Sequence, residues 1–237
     1  MKALVLAAGE GTRLRPRTET TPKPLVEVAE RPLLSHCFDR ILDAGLDEAV
    51  VVVGYEGDRI VDRYGDAYGE LSLAYARQRE RRGLAHAVLA AERHVDGPVV
   101  VLNGDNVYAG NLTAALTRHE ASDADLTVLV EETTRERARG GAACVFEGEE
   151  LVGLVEKPAN PPSTTVAVPW YVLPPEIVPA CRVVRPSERG EYELPDAIDL
   201  LLHAGYEATT VPFEGWRVNV NTEADRRRAE ARLREER

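Results

Sequence analysis

Lysine is nearly missing from this 237-residue chain: of its 29 basic residues only Lys2, Lys23 and Lys157 are lysine, and the rest are arginine. Cysteine is as scarce. Cys37, Cys144 and Cys181 lie far apart, no two have metal-ligand spacing, and an odd number argues against a disulfide framework, so they read as small apolar packers. No apolar run approaches the roughly 18–20 residues of a membrane span. The stretch Ala3–Ala8 is too short for a secretory h-region and leads straight into charged residues, so a cytoplasmic protein is expected, with no membrane partner. Positive charge is in deficit: 40 acidic residues give a formal charge of −11. That balance argues against nucleic-acid binding and repels free nucleotides at long range, so any phosphate site must gather positive charge locally. Abundant acid with little lysine also points to a salt-adapted, GC-rich organism. No Ser/His/Asp or Cys/His set suggests covalent catalysis, and no tandem repeat, linker or low-complexity tract interrupts the chain.

What is present is an alternation of short apolar runs with helical stretches, the pattern of βαβ units and a mostly parallel sheet. Strands are expected at 3–7, 49–53, 72–76, 98–102 and 126–131. Helices are expected over 33–44, 57–64, 84–93 and from an Asn111 cap through His119. Beyond Glu131 the strands shorten and the links look hairpin-like: 142–146, 151–155, 166–172, 208–211 and 217–220, with a helix over 195–203. Thr222 opens a final helix, acidic in its first turn and arginine-rich after it, a charge order that suits the helix dipole. The chain thus divides loosely into a nucleotide-binding half (1–131), a β-rich half covering a second substrate (132–221) and a C-terminal helix (222–237). One compact unit is expected.

Two segments stand out chemically. Leu6-Ala7-Ala8-Gly9-Glu10-Gly11-Thr12-Arg13-Leu14-Arg15-Pro16 leaves a buried strand with small residues and two glycines, whose backbone N–H groups can approach phosphate oxygens. Arg13 and Arg15 follow at once and Lys23 soon after, dense positive charge in an acidic protein. It is no dinucleotide fingerprint, since Leu14 stands where the third glycine belongs, and no P-loop, since Gly-Lys-Ser/Thr is missing. The second segment is Asn103-Gly104-Asp105-Asn106 at the end of a buried strand, where α/β ligand sites form. Asp105 there suits Mg²⁺, which takes few protein carboxylates and keeps its waters; the alternative is an Asx-turn residue.

Leu6–Pro16, followed by Pro22-Lys23-Pro24-Leu25, resembles the signature of the sugar-phosphate nucleotidylyltransferases, the nucleotide-sugar pyrophosphorylases. Matching elements recur in order near 78–91, 103–106, 155–158, 190–196 and 216–223. The resemblance implies their α/β fold, a Rossmann-like, mostly parallel mixed sheet flanked by helices with a small β-rich sugar-binding half. It also implies their reaction, NTP plus sugar-1-phosphate giving NDP-sugar and pyrophosphate with Mg²⁺. Leu6, Ala8, Gly9, Gly11, Thr12 and Arg13 would then hold the nucleotide. Gln78 and Gly83 would meet the base, the amide reading a pyrimidine edge and the glycine letting the base lie against backbone; His86 reads as structural. Arg13 and Lys23 would be catalytic, acting on the phosphates. Glu156, Lys157 and Glu193 would take the sugar phosphate, against a strand-end ion pair for Lys157 and helix capping for Glu193.

The chain departs from the family at Trp216-Arg217-Val218-Asn219-Val220-Asn221-Thr222, in the place of Trp-x-Asp-x-Gly-Thr. Asn219 occupies the slot of the second metal ligand beside Asp105, an asparagine as in the N-acetylglucosamine-1-phosphate uridylyltransferases. The spacing from Trp216 is one residue longer, which keeps Asn221 as an alternative. dTTP or UTP, and glucose-1-phosphate, are the favoured substrates; a cytidylyltransferase acting on phosphocholine or an inositol phosphate, or an inactive nucleotide-sugar-binding regulator, are the rival readings. The family ranges from monomers to tetramers, which leaves a homo-oligomer open. The chain ends without hexapeptide repeats, so no second acyltransferase activity is expected.

Overall fold

In the computed structural model, which describes residues 1–236, the first apolar run forms β1 (Lys2–Ala7). Its side chains alternate between faces: Leu4 and Leu6 pack into one core, Ala3, Val5 and Ala7 into another. The signature that follows is folded tightly, through a 3₁₀ turn at Thr12–Leu14, α1 (Arg17–Thr20) and a second 3₁₀ turn at Lys23–Leu25, into the hairpin of β2 (Glu27–Val28) and β3 (Arg31–Pro32). α2 (Leu33–Asp43) buries Leu34, Cys37, Phe38 and Ile41, the expected helical stripe. β4 (Glu48–Val53), α3 (Gly57–Tyr64), β5 (Ala67–Tyr68) and β6 (Leu71–Arg77) come next.

α4 covers only Leu84–Ala90; the segment predicted as helix to Arg93 tightens into a 3₁₀ turn at Glu92–His94. The cause is visible in the backbone, where Ala91 N–H bonds Val88 O at 3.0 Å and His94 N–H bonds Ala91 O at 2.9 Å, both three residues back. β7 (Val99–Asn103) is followed by β8 (Asn106–Gly110), a strand absent from the sequence-based assignment. α5 (Thr113–Glu120) opens with Asn111 Oδ1 accepting the Ala114 N–H at 3.1 Å, as expected of a cap. Then come β9 (Leu126–Glu132), α6 (Arg135–Ala138), β10 (Ala142–Glu147), β11 (Glu150–Glu156) and β12 (Thr165–Leu173). α7 (Ile177–Val183) was hidden in the sequence by Pro179, which a helix tolerates in its first turn. α8 (Leu194–His203), β13 (Ala208–Pro212) and β14 (Gly215–Asn219) lead to α9 (Glu223–Glu235). α9 carries a capping box: Thr222 Oγ1 accepts the Asp225 N–H, and the Asp225 carboxylate accepts the Thr222 N–H at 2.9 Å.

The main sheet has ten strands, ordered β11-β10-β12-β7-β1-β4-β6-β5, with β9 joined to both β12 and β13. β7, β1, β4 and β6 run parallel, and β12 turns antiparallel against β7. Of the short strands beyond Glu131, β10 to β13 therefore extend the same sheet, while β14 pairs antiparallel with β8 as a separate two-stranded ribbon. α4, α7 and α8 cover one face; α2, α3 and α5 cover the other. A third, small core binds the signature to the C-terminus: Leu14, Val28, Leu33, Val107, Val218, Val220 and Ala229. Leu14, the residue that displaced the third glycine, is 2% exposed. Burying it contributes about 2 kcal/mol and anchors the loop from below. Among the described residues no helix is long and apolar enough to cross a membrane.

Candidate active site

β1, β6 and β7 run parallel, so their C-terminal ends open on one side of the sheet, where a cleft of about 680 Å³ lies. Leu6, Ala8, Gly9, Gly11, Thr12, Arg13 and Lys23 line it from the signature, Gln78 and Gly83 from the segment after β6, and Asp105 from the turn after β7. Glu156 and Lys157 reach it from the end of β11, Glu193 from the start of α8, and both Asn219 and Asn221 from β14 and beyond. The residues that the family resemblance assigns to nucleotide, sugar phosphate and metal thus line one space.

Within the signature, Gly11 lies at φ 70°, and a Cβ there would sit 2.8 Å from Lys23 Cβ. Its missing side chain is what lets the second 3₁₀ turn close over the first, and Thr18 Oγ1 seals the contact by donating to Gly11 O at 2.8 Å. Lys23, 6% exposed, is thereby pushed inward. Its Nζ donates to Asp105 Oδ2 at 2.7 Å and to Asn221 Oδ1 at 2.9 Å. Asn221 Nδ2 in turn donates to Asn219 Oδ1 at 2.6 Å, and the fully buried Asn106 donates to Asp105 Oδ1 at 2.9 Å. Oxygens of one carboxylate and one carboxamide converge on a single cationic position. Arg13 is exposed and has no ion-pair partner among the described residues.

On the far side of the cleft, Gln78 Nε2 donates to Gly83 O at 3.0 Å and lies 3.1 Å from His86 Nδ1. His86 therefore orients the glutamine, a structural role of a specific kind. Gly83, which lines the cleft, also serves the packing of the backbone. It lies at φ 104°, and a Cβ would fall 2.4 Å from Tyr192 O. Its absence lets Tyr192 N–H reach Arg82 O at 2.7 Å and Ala85 N–H reach Tyr192 O at 2.9 Å, tying the 78–83 loop to the loop before α8. Lys157 does pair with Glu156, at 2.9 Å, and its own backbone lies at φ 45°, a region a lysine seldom adopts. Glu193, 2% exposed, makes no side-chain cap bond to α8; Arg189 and Ser187 bind its Oε1 at 2.7 and 3.1 Å.

Sequence reasoning missed several lining residues. Glu10 and Arg81 face each other across the mouth as an ion pair, with Arg15 also on Glu10 at 3.2 Å; the arginine contacts pull the Glu10 carboxyl below its usual range. Arg79, Arg81 and Arg82 are equivalent in sequence, so nothing there marked Arg81. Arg217 was legible. On β14, Trp216, Val218 and Val220 point into the third core while Arg217, Asn219 and Asn221 face the cleft, an alternation plain in the sequence. Burial pushes the Cys144 and Cys181 thiols up to about 12 and Cys37 further, so none is a nucleophile. Among the described residues no three His, Cys, Asp or Glu side chains cluster as metal ligands.

The nucleotidyl transferase family model matches residues 2–218. The chain is 44% identical, over all of its length and 98% of the relative's, to the UTP–glucose-1-phosphate uridylyltransferase AglF of Haloferax volcanii. It is 36% identical over 219 residues to a glucose-1-phosphate thymidylyltransferase of Streptomyces griseus, spanning 61% of that longer protein. In fold it is similar to a UDP-glucose pyrophosphorylase solved with UDP-glucose, at a TM-score of 0.88 and 23% identity over 100% of this chain and 99% of that one. The chain belongs to the nucleotidyl transferase family and, within it, to the sugar-phosphate nucleotidylyltransferases.

Proposed function

We propose that the protein transfers the uridylyl group of UTP to glucose-1-phosphate, with Mg²⁺, giving UDP-glucose and pyrophosphate. The observation that carries this is the convergence in one cleft of the glycine loop, the Lys23–Asp105–Asn221 chain and Lys157 beside Glu156. The choice of UTP and glucose rests on the full-length likeness to the uridylyltransferase AglF. Residues 1–131 hold the nucleotide and 132–221 the acceptor, joined through one sheet.

The donor set suits Mg²⁺ through its chemistry. One carboxylate, Asp105, with carboxamide oxygens beside it, leaves most positions to water and phosphate. Asp105 and Asn219 would hold the ion, and Asn221, bonded to both Asn219 and Lys23, would orient them. When bound, Mg²⁺ supplies charge neutralisation to the triphosphate.

The acceptor's phosphate oxygen attacks the α-phosphorus, the α–β bridge oxygen departs with pyrophosphate, and the atoms balance without a proton transfer. A phosphate monoester is already anionic near neutral pH, so no general base is required, and the work falls to positioning and charge. The N–H groups of the 8–12 loop cradle the triphosphate, the free Arg13 guanidinium neutralises it, and Lys23 stabilises the departing pyrophosphate. Lys157 holds the acceptor's phosphate, Glu193 its sugar hydroxyls. Gln78, fixed by Gly83 O and His86, reads the pyrimidine. The test is pyrophosphate release from each of five NTPs against several sugar-1-phosphates and phosphocholine. UTP with glucose-1-phosphate should exceed other pairs and stop with a chelator; release from CTP with phosphocholine alone would sink the reading.

A further inference from the structure

Arg217 is the one deep cation of the cleft that the transfer scheme leaves unused. Strand alternation puts it in a row with Asn219 and Asn221, roughly 7 Å along β14 from Asn219 at two residues' rise. Its side chain is 17% exposed, and a single bond, Nη2 to Glu131 Oε1 at 2.7 Å, anchors it. Its Nε is buried and meets no acceptor. Buried charged donors are rarely left without one, because desolvation then goes uncompensated. Arg217 stands opposite Tyr108 on β8, in the same ladder as the Asn219–Asn106 pair next to Asp105, and lines the cleft together with Tyr171 and Glu156. The wall nearby, Ala167, Pro169 and Tyr171, offers no other cation.

We propose that Arg217 is a further catalytic residue, its guanidinium binding the acceptor's phosphate where that group meets the α-phosphate. The assignment rests on the uridylyl-transfer reading. Two anionic phosphorus centres must come within bonding distance, and a planar fork between them lowers the repulsion as no point charge does. Glu131 aims the fork by holding Nη2 at 2.7 Å, and the accessible part of the guanidinium lines the cleft. This also accounts for the extra residue between Trp216 and Asn219: the lengthened strand brings an arginine into the cleft-facing row. A cation here adds to Lys157, which Glu156 partly neutralises at 2.9 Å.

The experiment is steady-state kinetics with glucose-1-phosphate varied at saturating UTP, beside calorimetric titration of UTP with Mg²⁺ and thermal melting. Arg217→Gln should lower kcat/KM for glucose-1-phosphate about 100-fold or more, the scale of one lost transition-state donor, and leave the UTP Kd within about threefold. Arg217→Lys should recover part of the loss. Since removing the arginine alone strands Glu131, the double variant Glu131→Gln/Arg217→Gln keeps the fold and should show the same kinetic loss. Wild-type kcat/KM in the double variant, or an equal fall in UTP affinity, would overturn the assignment. Wild-type turnover in the same assay separates the two readings. A wild type inactive with every sugar phosphate sinks the transfer reading and this one with it, whereas an active wild type matched by the variants sinks this one alone.

Discussion

Replacing Gly83 by alanine strikes the place where the 78–83 loop and the loop before α8 touch backbone to backbone. Gly83 lies at φ 104° and ψ −178°, a conformation open essentially to glycine alone, and a Cβ would stand 2.4 Å from Tyr192 O and 2.7 Å from Tyr192 N. The backbone strain costs on the order of 1–3 kcal/mol. Relieving the clash moves Tyr192 and breaks the Tyr192–Arg82 and Ala85–Tyr192 bonds, about 1 kcal/mol each. The sum, roughly 3–5 kcal/mol, lowers the melting temperature by about 6–20 °C at the 2–4 °C per kcal/mol usual for this size. Because the tie joins the base side to the sugar side, KM should rise for both substrates. Gly9→Ala is the control: a Cβ there has nothing within 4 Å. It should melt like the wild type yet bind UTP at least tenfold more weakly, since only the phosphate is crowded. Calorimetric melting and initial-rate kinetics read both. A Gly83→Ala protein with wild-type melting and KM would refute the reasoning, as would a Gly9→Ala protein that melts early.

Asn219→Asp adds a charge at the metal position and should lower the half-saturating Mg²⁺ concentration severalfold, whereas Asn221→Asp should instead tighten its grip on Lys23 and lower kcat; the reverse pattern would exchange the two roles. Lys157→Gly relaxes a left-handed backbone at φ 45°, so its melting temperature should hold or rise slightly while KM for glucose-1-phosphate rises at least tenfold; a loss confined to UTP binding would contradict the assignment. Asp196 is pushed up to about 6, by burial first and then by Glu193, Glu156 and Asp199. A carboxyl whose folded value exceeds its unfolded value of 3.8 destabilises the fold above pH 6, and the penalty fades as pH falls toward 4. At 1.36 kcal/mol per unit the ceiling is about 3 kcal/mol, which solvent access to this half-buried group cuts to ~1. Asp196→Asn should therefore melt a few degrees higher at pH 8 and equal the wild type near pH 4; a gap constant with pH would speak against it.

Much of the sheet could be read from single runs, because β1, β4 and β7 are buried on both faces and their apolar letters are continuous. The residues lining the cleft could be read because glycine, lysine and aspartate sit at strand ends where ligands collect. What could not be read is pairing over distance. β8 looks like a loop until β14 lies against it, Trp216 opposite Ala109 and Arg217 opposite Tyr108. The contact of Lys23 with Asp105 joins residues that local pattern treats separately, and Glu10 gives no sign of meeting Arg81. Gly83 was read for what a ligand needs, while the fold needs it first for Tyr192. Arg217 is legible in the same run, because the alternation from Trp216 to Asn221 places it on one face with the two asparagines.

The central claim is attack at the α-phosphorus of a nucleoside triphosphate by a sugar-1-phosphate. Two incubations of the wild-type protein with glucose-1-phosphate and Mg²⁺, one with α-³²P-UTP and one with γ-³²P-UTP, test it most directly when the products are separated. α-Label should appear in UDP-glucose and γ-label in pyrophosphate, in equal amounts. Label from the γ position in the sugar product, or α-label released as UMP without transfer, would contradict it.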